Sequence, residues 1–304
     1  MPSGPDISVK LGALELINPV IAASGTFGYG LEFIPFLDLN RLGGFCTKGL
    51  SLKPRVGNPV PRVFETASGM LNAIGLENVG LEKFRDEKLP LLQPYRTRII
   101  ANFFGDTVQE YAEMAEQLSG LERIDALEMN ISCPNVEEGG LAFSSSPRIV
   151  EQVVAAVRPV TSKYLIVKLS PNVTDICEIA QAAQQAGADA VSLVNTYLGM
   201  ALDITTRKPY LANTSGGLSG PSIKPVALHQ VYQVARSVTI PVIGIGGIRT
   251  AEDALEFLMA GASAVQVGTA NFFDPAVTIK IIDGIHRWCV ENGVSKLDEI
   301  NGSK

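Results

Sequence analysis

Eight short apolar runs recur along the chain: Val20 to Ala23, Gly44 to Thr47, Ile99 to Phe103, Leu127 to Asn130, Leu165 to Leu169, Val191 to Asn195, Val242 to Ile245 and Ala264 to Val267. Most are continuously apolar rather than alternating, and all are too short for helices, which is the pattern of strands buried on both faces. Helix-period segments separate them. Thr107-Val108-Gln109-Glu110 has capping-box spacing, and Val108, Tyr111, Ala112, Ala115 and Leu118 continue it as one apolar stripe. Thr250 opens another helix, with Leu255, Leu258 and Met259 inward and Gly261 as its C-terminal stop. Ala186-Gly187-Ala188-Asp189-Ala190-Val191 is echoed by Ala260-Gly261-Ala262-Ser263-Ala264-Val265, each a glycine-capped helix end followed by a strand start. Eight strands alternating with helices predict an α/β fold, a parallel (β/α)8 TIM barrel forming one domain over residues 1–304. A doubly wound open sheet is the competitor, but no Gly-x-Gly-x-x-Gly follows the first strand.

Ahead of the barrel, Ile7 to Leu16 alternates around Gly12 and predicts a β-hairpin that plugs or lids something. Two connections, from about Gly49 to Arg98 after strand 2 and from Thr196 to about Ile223 after strand 6, far exceed the roughly 2–6 residues usual in such folds. Both follow strand C-terminal ends, the face where barrel enzymes keep their sites, and are expected to wall an active site.

Charge narrows the function. A formal net charge of −6 over 304 residues argues against a nucleic-acid surface. No apolar run approaches the ~18 residues of a membrane span, and Met1 to Asp6 lacks a signal-peptide pattern, so the expected location is the cytoplasm. The cysteines (46, 133, 177 and 289) lie far apart, without the spacing of a zinc, dithiol or iron–sulfur site, and no metal site is expected. Cys46, Cys177 and Cys289 fall within a strand or helix and read as core. The two histidines, His229 and His286, sit inside helix-like segments, which disfavours a Ser-His-Asp triad.

Polar residues end the inferred strands where a site would want them: Ser24, Lys48, Asn102, Asn130, Lys168 and Asn195-Thr196. Gly246-Gly247 and Gly268-Thr269 finish the last two strands ahead of helices, so bare backbone N–H groups there would converge on a phosphate, helped by a helix dipole; the alternative is tight-turn glycine with no ligand. Lys168, inside Ile166 to Ser170, either neutralises an anionic cofactor, serves as a Schiff-base amine or snorkels to solvent. Lys48 presents the same choice. Asn72, Asn102, Asn130 and Asn195 offer the donors and acceptors that an imide-and-amide heterocycle needs, or else cap loops. In Asn130-Ile131-Ser132-Cys133-Pro134-Asn135 a thiol stands at a strand tip stopped by proline, either as a general base or as a small packing residue.

These segments, together with Asn18 to Thr26, Thr47 to Ser51, Gly57 to Arg62, Leu71 to Asn78, Ser219-Gly220-Pro221 and Ile245 to Ile248, resemble the dihydroorotate dehydrogenases over nearly the full length. The resemblance is greatest to the catalytic subunit of the cytosolic, NAD-dependent type (class 1B). Cys133 stands where the membrane-bound quinone-linked type has serine, and that type's N-terminal extension is missing. The soluble fumarate-using type shares the cysteine, and the stretch Asn72 to Leu76 favours the NAD type over it. Glu77 and Val79 replace the Gln and Pro of many relatives, at positions expected to make no ligand contact. The resemblance implies one FMN per chain and oxidation of dihydroorotate to orotate in pyrimidine synthesis, with Cys133 as the base. It implies that Lys48, Asn72, Ala73, Ile74, Gly75, Leu76, Asn130, Asn195 and Thr196 hold the substrate. It assigns the flavin to Ser24, Lys48, Gly49, Asn102, Asn130, Lys168, Val194, Gly220, Gly246, Gly247, Gly268 and Thr269. It further implies a partner electron-transfer subunit carrying FAD and a 2Fe-2S cluster, in a heterotetramer built on a homodimer of this chain. A fumarate-dependent enzyme, a Schiff-base aldolase using Lys168 and a metabolite-binding barrel without activity are the other readings.

Overall fold

The structure, a computed structural model, describes residues 4–131 and 146–302. At the N-terminus β1 (Val9–Leu11) pairs antiparallel with β2 (Leu14–Leu16). Alternation drives this hairpin: Val9, Leu11, Leu14 and Leu16 are buried, while Lys10 and Glu15 pair in solvent at 2.6 Å. Its turn at Gly12 lies against the Tyr164 ring, and the Arg98 guanidinium donates to the Glu15 carbonyl at 3.0 Å. Tyr164 and Arg98 open barrel strands, so the hairpin closes the N-terminal end of the barrel, away from the strand tips.

The barrel strands are β3 (Val20–Ala22), β4 (Gly44–Cys46), β7 (Arg98–Phe103), β8 (Ala126–Asn130), β9 (Tyr164–Lys168), β10 (Ala190–Leu193), β15 (Val242–Ile245) and β16 (Ala264–Val267). They close in that order, all parallel, with β16 returning to pair with β3. Each predicted apolar run is thus a barrel strand. Helices cover the outer face: α2 (Val108–Ser119), α3 (Pro147–Val157), α4 (Ile176–Gln185), α5 (Lys224–Ser237), α6 (Ala251–Met259) and α7 (Val277–Asn292). The repeated Ala-Gly-Ala stops have a common geometry, with Gly187 and Gly261 at φ 102° and 112°. The first two units depart from the pattern. Between β3 and β4 only two single helical turns form, Leu31–Phe33 and Leu39–Arg41, in a segment broken by Gly25, Gly28, Gly30 and Pro35. Between β4 and β7 the helix is short, α1 (Leu81–Lys83), continuing in irregular turns to Leu92.

The two long connections fold into a sheet of their own. β5 (Val63–Thr66) and β6 (Gly69–Asn72) from the first join β11 (Tyr197–Met200) and β14 (Ser215–Ser219) from the second, in the antiparallel order β11-β14-β6-β5. A small hairpin, β12 (Leu202–Asp203) with β13 (Lys208–Pro209), extends the second connection. The walls expected as loops are therefore held to each other by a backbone ladder. Among the described residues no helix is long and apolar enough to cross a membrane.

Candidate active site

The barrel floor is polar. Glu128 on β8 is fully buried, and its carboxylate accepts from Asn102 Nδ2 at 2.7 Å, Ser192 Oγ at 2.9 Å and Gln266 Nε2 at 2.5 Å. Lys168 Nζ stands 3.9 Å from Glu128 Oε1. Strand register explains the gathering: Asn102 lies directly across from Glu128, and Ser192 across from Lys168, so these side chains share the inner face. Cys46 also faces this cluster. Burial, and then the Glu128 carboxylate, push its thiol well above the usual value against the pull of Lys168, so it stays a neutral packing group.

Above this floor the strand tips open into a groove with two lobes, of about 460 and 690 Å³, which share Asn195, Thr196, Gly268 and Thr269. Every candidate substrate and cofactor residue named from the sequence lines one or both lobes, Cys133 apart. The smaller lobe takes Lys168, Val194, Gly220, Gly246 and Gly247. The larger takes Ser24, Lys48, Gly49, Asn102 and Asn130, with Asn72 through Leu76. Cys133 lies outside the described residues.

Bare backbone forms the smaller lobe. Gly246 and Gly247 sit at φ 136° and 72°, and a Cβ on them would come within 2.5 Å of Ala227 Cβ and 2.7 Å of Lys224 Cβ. The β5–β6 turn overhangs the lobe and is tied down by Ser222 N–H donating to the Ser68 carbonyl at 2.8 Å. The helix dipole expected here is differently placed. The α6 N-terminus is closed by its own capping box, Thr250 with Asp253, and Gly268-Thr269 lead into a single turn, Thr269–Phe272, with α7 starting only at Val277. The lobe is lined by glycine backbone, and by Arg249, a cationic residue that no sequence motif marked.

The wall behind these glycines is braced by charge. Lys224 Nζ meets Asp253 at 2.6 Å and Glu256 at 2.9 Å, joining α5 to α6. Burial works to raise the Asp253 carboxyl, but Lys224 and the N–H groups of Arg249 and Thr250 outweigh it and hold it below the usual range. Its contribution to stability is therefore complete above the unfolded carboxyl pKa of ~3.9 and is lost as pH falls through the lower folded value. Asp253→Asn is expected to melt below wild type at pH 7, with the gap closing below about pH 4; a gap independent of pH in thermal melts would rule the bridge out as its source.

The larger lobe suits a small planar acid. Among the described residues no hydrogen bond or ion pair engages the Lys48 ammonium, a free cation on the lobe wall. Amides surround it: Asn195 Nδ2 donates to Asn130 Oδ1 at 3.3 Å, and Asn72 Nδ2 to the Gly217 carbonyl at 3.4 Å. The segment Ala73 to Leu76 is held by Asn58, whose Nδ2 donates to the Ala73 carbonyl and whose N–H donates to the Ile74 carbonyl, both at 2.9 Å. Glu77 also lines this lobe and pairs with Arg62, so it is closer to the ligand space than the sequence reading placed it.

The groove fits a flavin nucleotide on its own features. Asn102 Oδ1 is buried without a partner among the described residues, an acceptor awaiting a ligand N–H, and the glycine cradle admits a group that any side chain would exclude. Glu128, Ser192 and Gln266 were missed because each sits alone inside an apolar strand, where the sequence shows a run rather than a cluster. The signal was present in Glu128, a carboxylate within Ala126-Leu127-Glu128-Met129 that a core tolerates only with partners.

A sequence profile described as "Dihydroorotate dehydrogenase" matches residues 6–288. The chain is 58% identical over 299 residues to a protein of Pelobacter propionicus and to one of Trichlorobacter lovleyi, with 98% of each chain covered. It is 53% identical over 298 residues to a protein of Bacteroides fragilis, again with 98% of each covered. All three are named dihydroorotate dehydrogenase B (NAD(+)), catalytic subunit. With a barrel whose strand tips converge on a groove of this chemistry, and a match over nearly its whole length, the chain belongs to the dihydroorotate dehydrogenase family.

Proposed function

We propose that this chain is the catalytic subunit of an NAD-linked dihydroorotate dehydrogenase, a cytoplasmic FMN enzyme of pyrimidine synthesis whose residues 1–304 form one barrel domain. The observation that carries the reading is the convergence of eight strand tips on two adjoining lobes, one lined by glycine backbone and the other by amides around a lysine that has no partner among the described residues. Gly220, Gly246, Gly247, Gly268 and Thr269 would hold the flavin phosphate, and Ser24, Lys48, Gly49 and Val194 the nucleotide between. Asn102, Asn130 and Lys168 would meet its ring. When bound, FMN supplies the hydride acceptor for making a C=C bond beside a carboxylate-bearing carbon.

The chain does the rest. The Lys48 ammonium binds the substrate carboxylate, and a charge-assisted contact of this kind contributes about 1.5–3 kcal/mol. Asn72, Asn130, Asn195 and Thr196 match the C=O and N–H edges of the pyrimidine, and Ala73 to Leu76 close over it with backbone groups. Cys133 takes the proton from the carbon next to the one that loses hydride. No histidine lies in these motifs, which leaves the thiol as the base. Lys168, at the groove floor, would stabilise negative charge on the bound flavin ring. Electrons leave through a partner subunit carrying FAD and a 2Fe-2S cluster, in a heterotetramer built on a homodimer of this chain; "catalytic subunit" in the relatives' names supports a partner.

Anaerobic addition of dihydroorotate to the purified, FMN-loaded chain is the direct test. Bleaching of the flavin, slow reoxidation by NAD alone and fast reoxidation once the partner is added are expected. No bleaching would remove the substrate assignment, and rapid reoxidation by fumarate without a partner would move the chain to the fumarate-using type.

A further inference from the structure

We propose that Glu128 is a positioning residue for the flavin, fixing Lys168 and Asn102 at the groove floor and countering the lysine charge; this rests on the groove being the FMN site. The carboxylate touches no lobe. It draws on side chains from four other strands: Asn102 of β7, Lys168 of β9, Ser192 of β10 and Gln266 of β16. Of these, Asn102 and Lys168 also line the groove, while Ser192 and Gln266 lie wholly within the barrel.

Two consequences follow from the donor arithmetic. Asn102 spends its Nδ2 on Glu128, which leaves its buried Oδ1 without a partner among the described residues and commits that amide to presenting an acceptor to the ligand. The Lys168 ammonium, almost completely buried, stands 3.9 Å from the carboxylate, close enough for charge compensation but too far for a hydrogen bond. A buried pair of that geometry is a weak source of stability, because desolvation consumes what attraction returns. Its place directly beneath the groove points to the site. Removing the carboxylate alone leaves a buried cation unbalanced and frees Asn102 to turn. Removing the lysine alone leaves a buried anion unbalanced. Removing both charges relieves both faults.

The test is a charge cycle on the purified chain with Glu128→Gln, Lys168→Met and the double variant. It reads FMN affinity by fluorescence quenching, the midpoint potential of the bound flavin, and the melting point of the flavin-free chain. Glu128→Gln and Lys168→Met should each weaken FMN binding about tenfold, the size of one lost charge-assisted contact. The double variant should bind FMN no worse than Lys168→Met and melt above it. Glu128→Gln should also shift the midpoint potential, which a purely structural role would leave in place. Ser192→Ala removes one donor to Glu128 without touching the groove; it should weaken FMN binding about twofold and move the potential in the same direction. If Glu128→Gln does not fold, Ser192→Ala decides the matter by those two readings. Additive losses in the cycle, or melting points that change while affinity and potential do not, would overturn the role of Glu128 and leave the functional reading standing. A wild-type chain that takes up no FMN would overturn both.

Discussion

Cys133→Ala is expected to keep its FMN and lose roughly a hundred- to ten-thousand-fold in turnover, the range that a positioned general base contributes. Oxidation of a saturated C–C bond next to a carboxylate removes a proton and a hydride from adjacent carbons, and the proton needs an acceptor. The motif offers a thiol and no imidazole. A free thiol has a pKa of ~8.5, so turnover should rise from pH 7 toward pH 9 as thiolate forms. Cys133→Ser should retain weak activity that climbs further into alkali, because an alkoxide forms less readily. Stopped-flow reduction of the bound flavin by dihydroorotate isolates the step from electron exit. A Cys133→Ala chain that bleaches at the wild-type rate would remove the base assignment while leaving the flavin site intact.

Gly247→Val is expected to purify largely without flavin, with affinity reduced at least about a hundredfold, the equivalent of one or two lost charge-assisted N–H contacts to a phosphate. Two costs act together. At φ 72° a residue with a Cβ loses about 1–2 kcal/mol. That Cβ would also meet Lys224 Cβ at 2.7 Å and the Gly220 carbonyl oxygen at 2.9 Å, moving the wall that shapes the cradle. The control is Gly268→Ala. A Cβ there would meet only Ala23 Cβ at 3.7 Å and Thr26 Cγ2 at 3.9 Å, so the fold accepts it while a methyl enters the groove. Gly247→Val should lower both the melting point and FMN affinity, and Gly268→Ala affinity alone. If both variants bind FMN as wild type does, the phosphate lies elsewhere.

Every groove residue named from the resemblance and the strand ends lines the groove, Cys133 apart, for a reason specific to this fold. Parallel strands buried on both faces must be apolar along their length, so a polar residue at a tip stands out: Ser24, Lys48, Asn102, Asn130, Lys168 and Asn195 each interrupt or end an apolar run. Glu128 obeys the opposite logic. It lies within a run, and its partners Ser192 and Gln266 are separated from it by 64 and 138 residues, so no local window shows them together. Arg249, which no motif marked, and Glu77, expected to make no ligand contact, both line the groove, because whether a charge on a connection faces the groove or solvent depends on how the connection folds. The helix dipole expected behind the glycines failed on a local detail, since Asp253 and Thr250 cap α6 themselves.

By itself the chain's sequence determined the barrel, its strand order and the chemistry at each strand tip, because hydrophobic period and side-chain type are properties of neighbouring residues. Tertiary structure alone decided that the two long connections zip into one antiparallel sheet, with Leu71 opposite Leu218, and that a buried carboxylate gathers hydrogen-bond donors from three strands and a lysine charge from a fourth beneath the groove. Both depend on which distant residues share a face once the barrel closes. Closure sets that by strand register and shear, which no segment carries within itself.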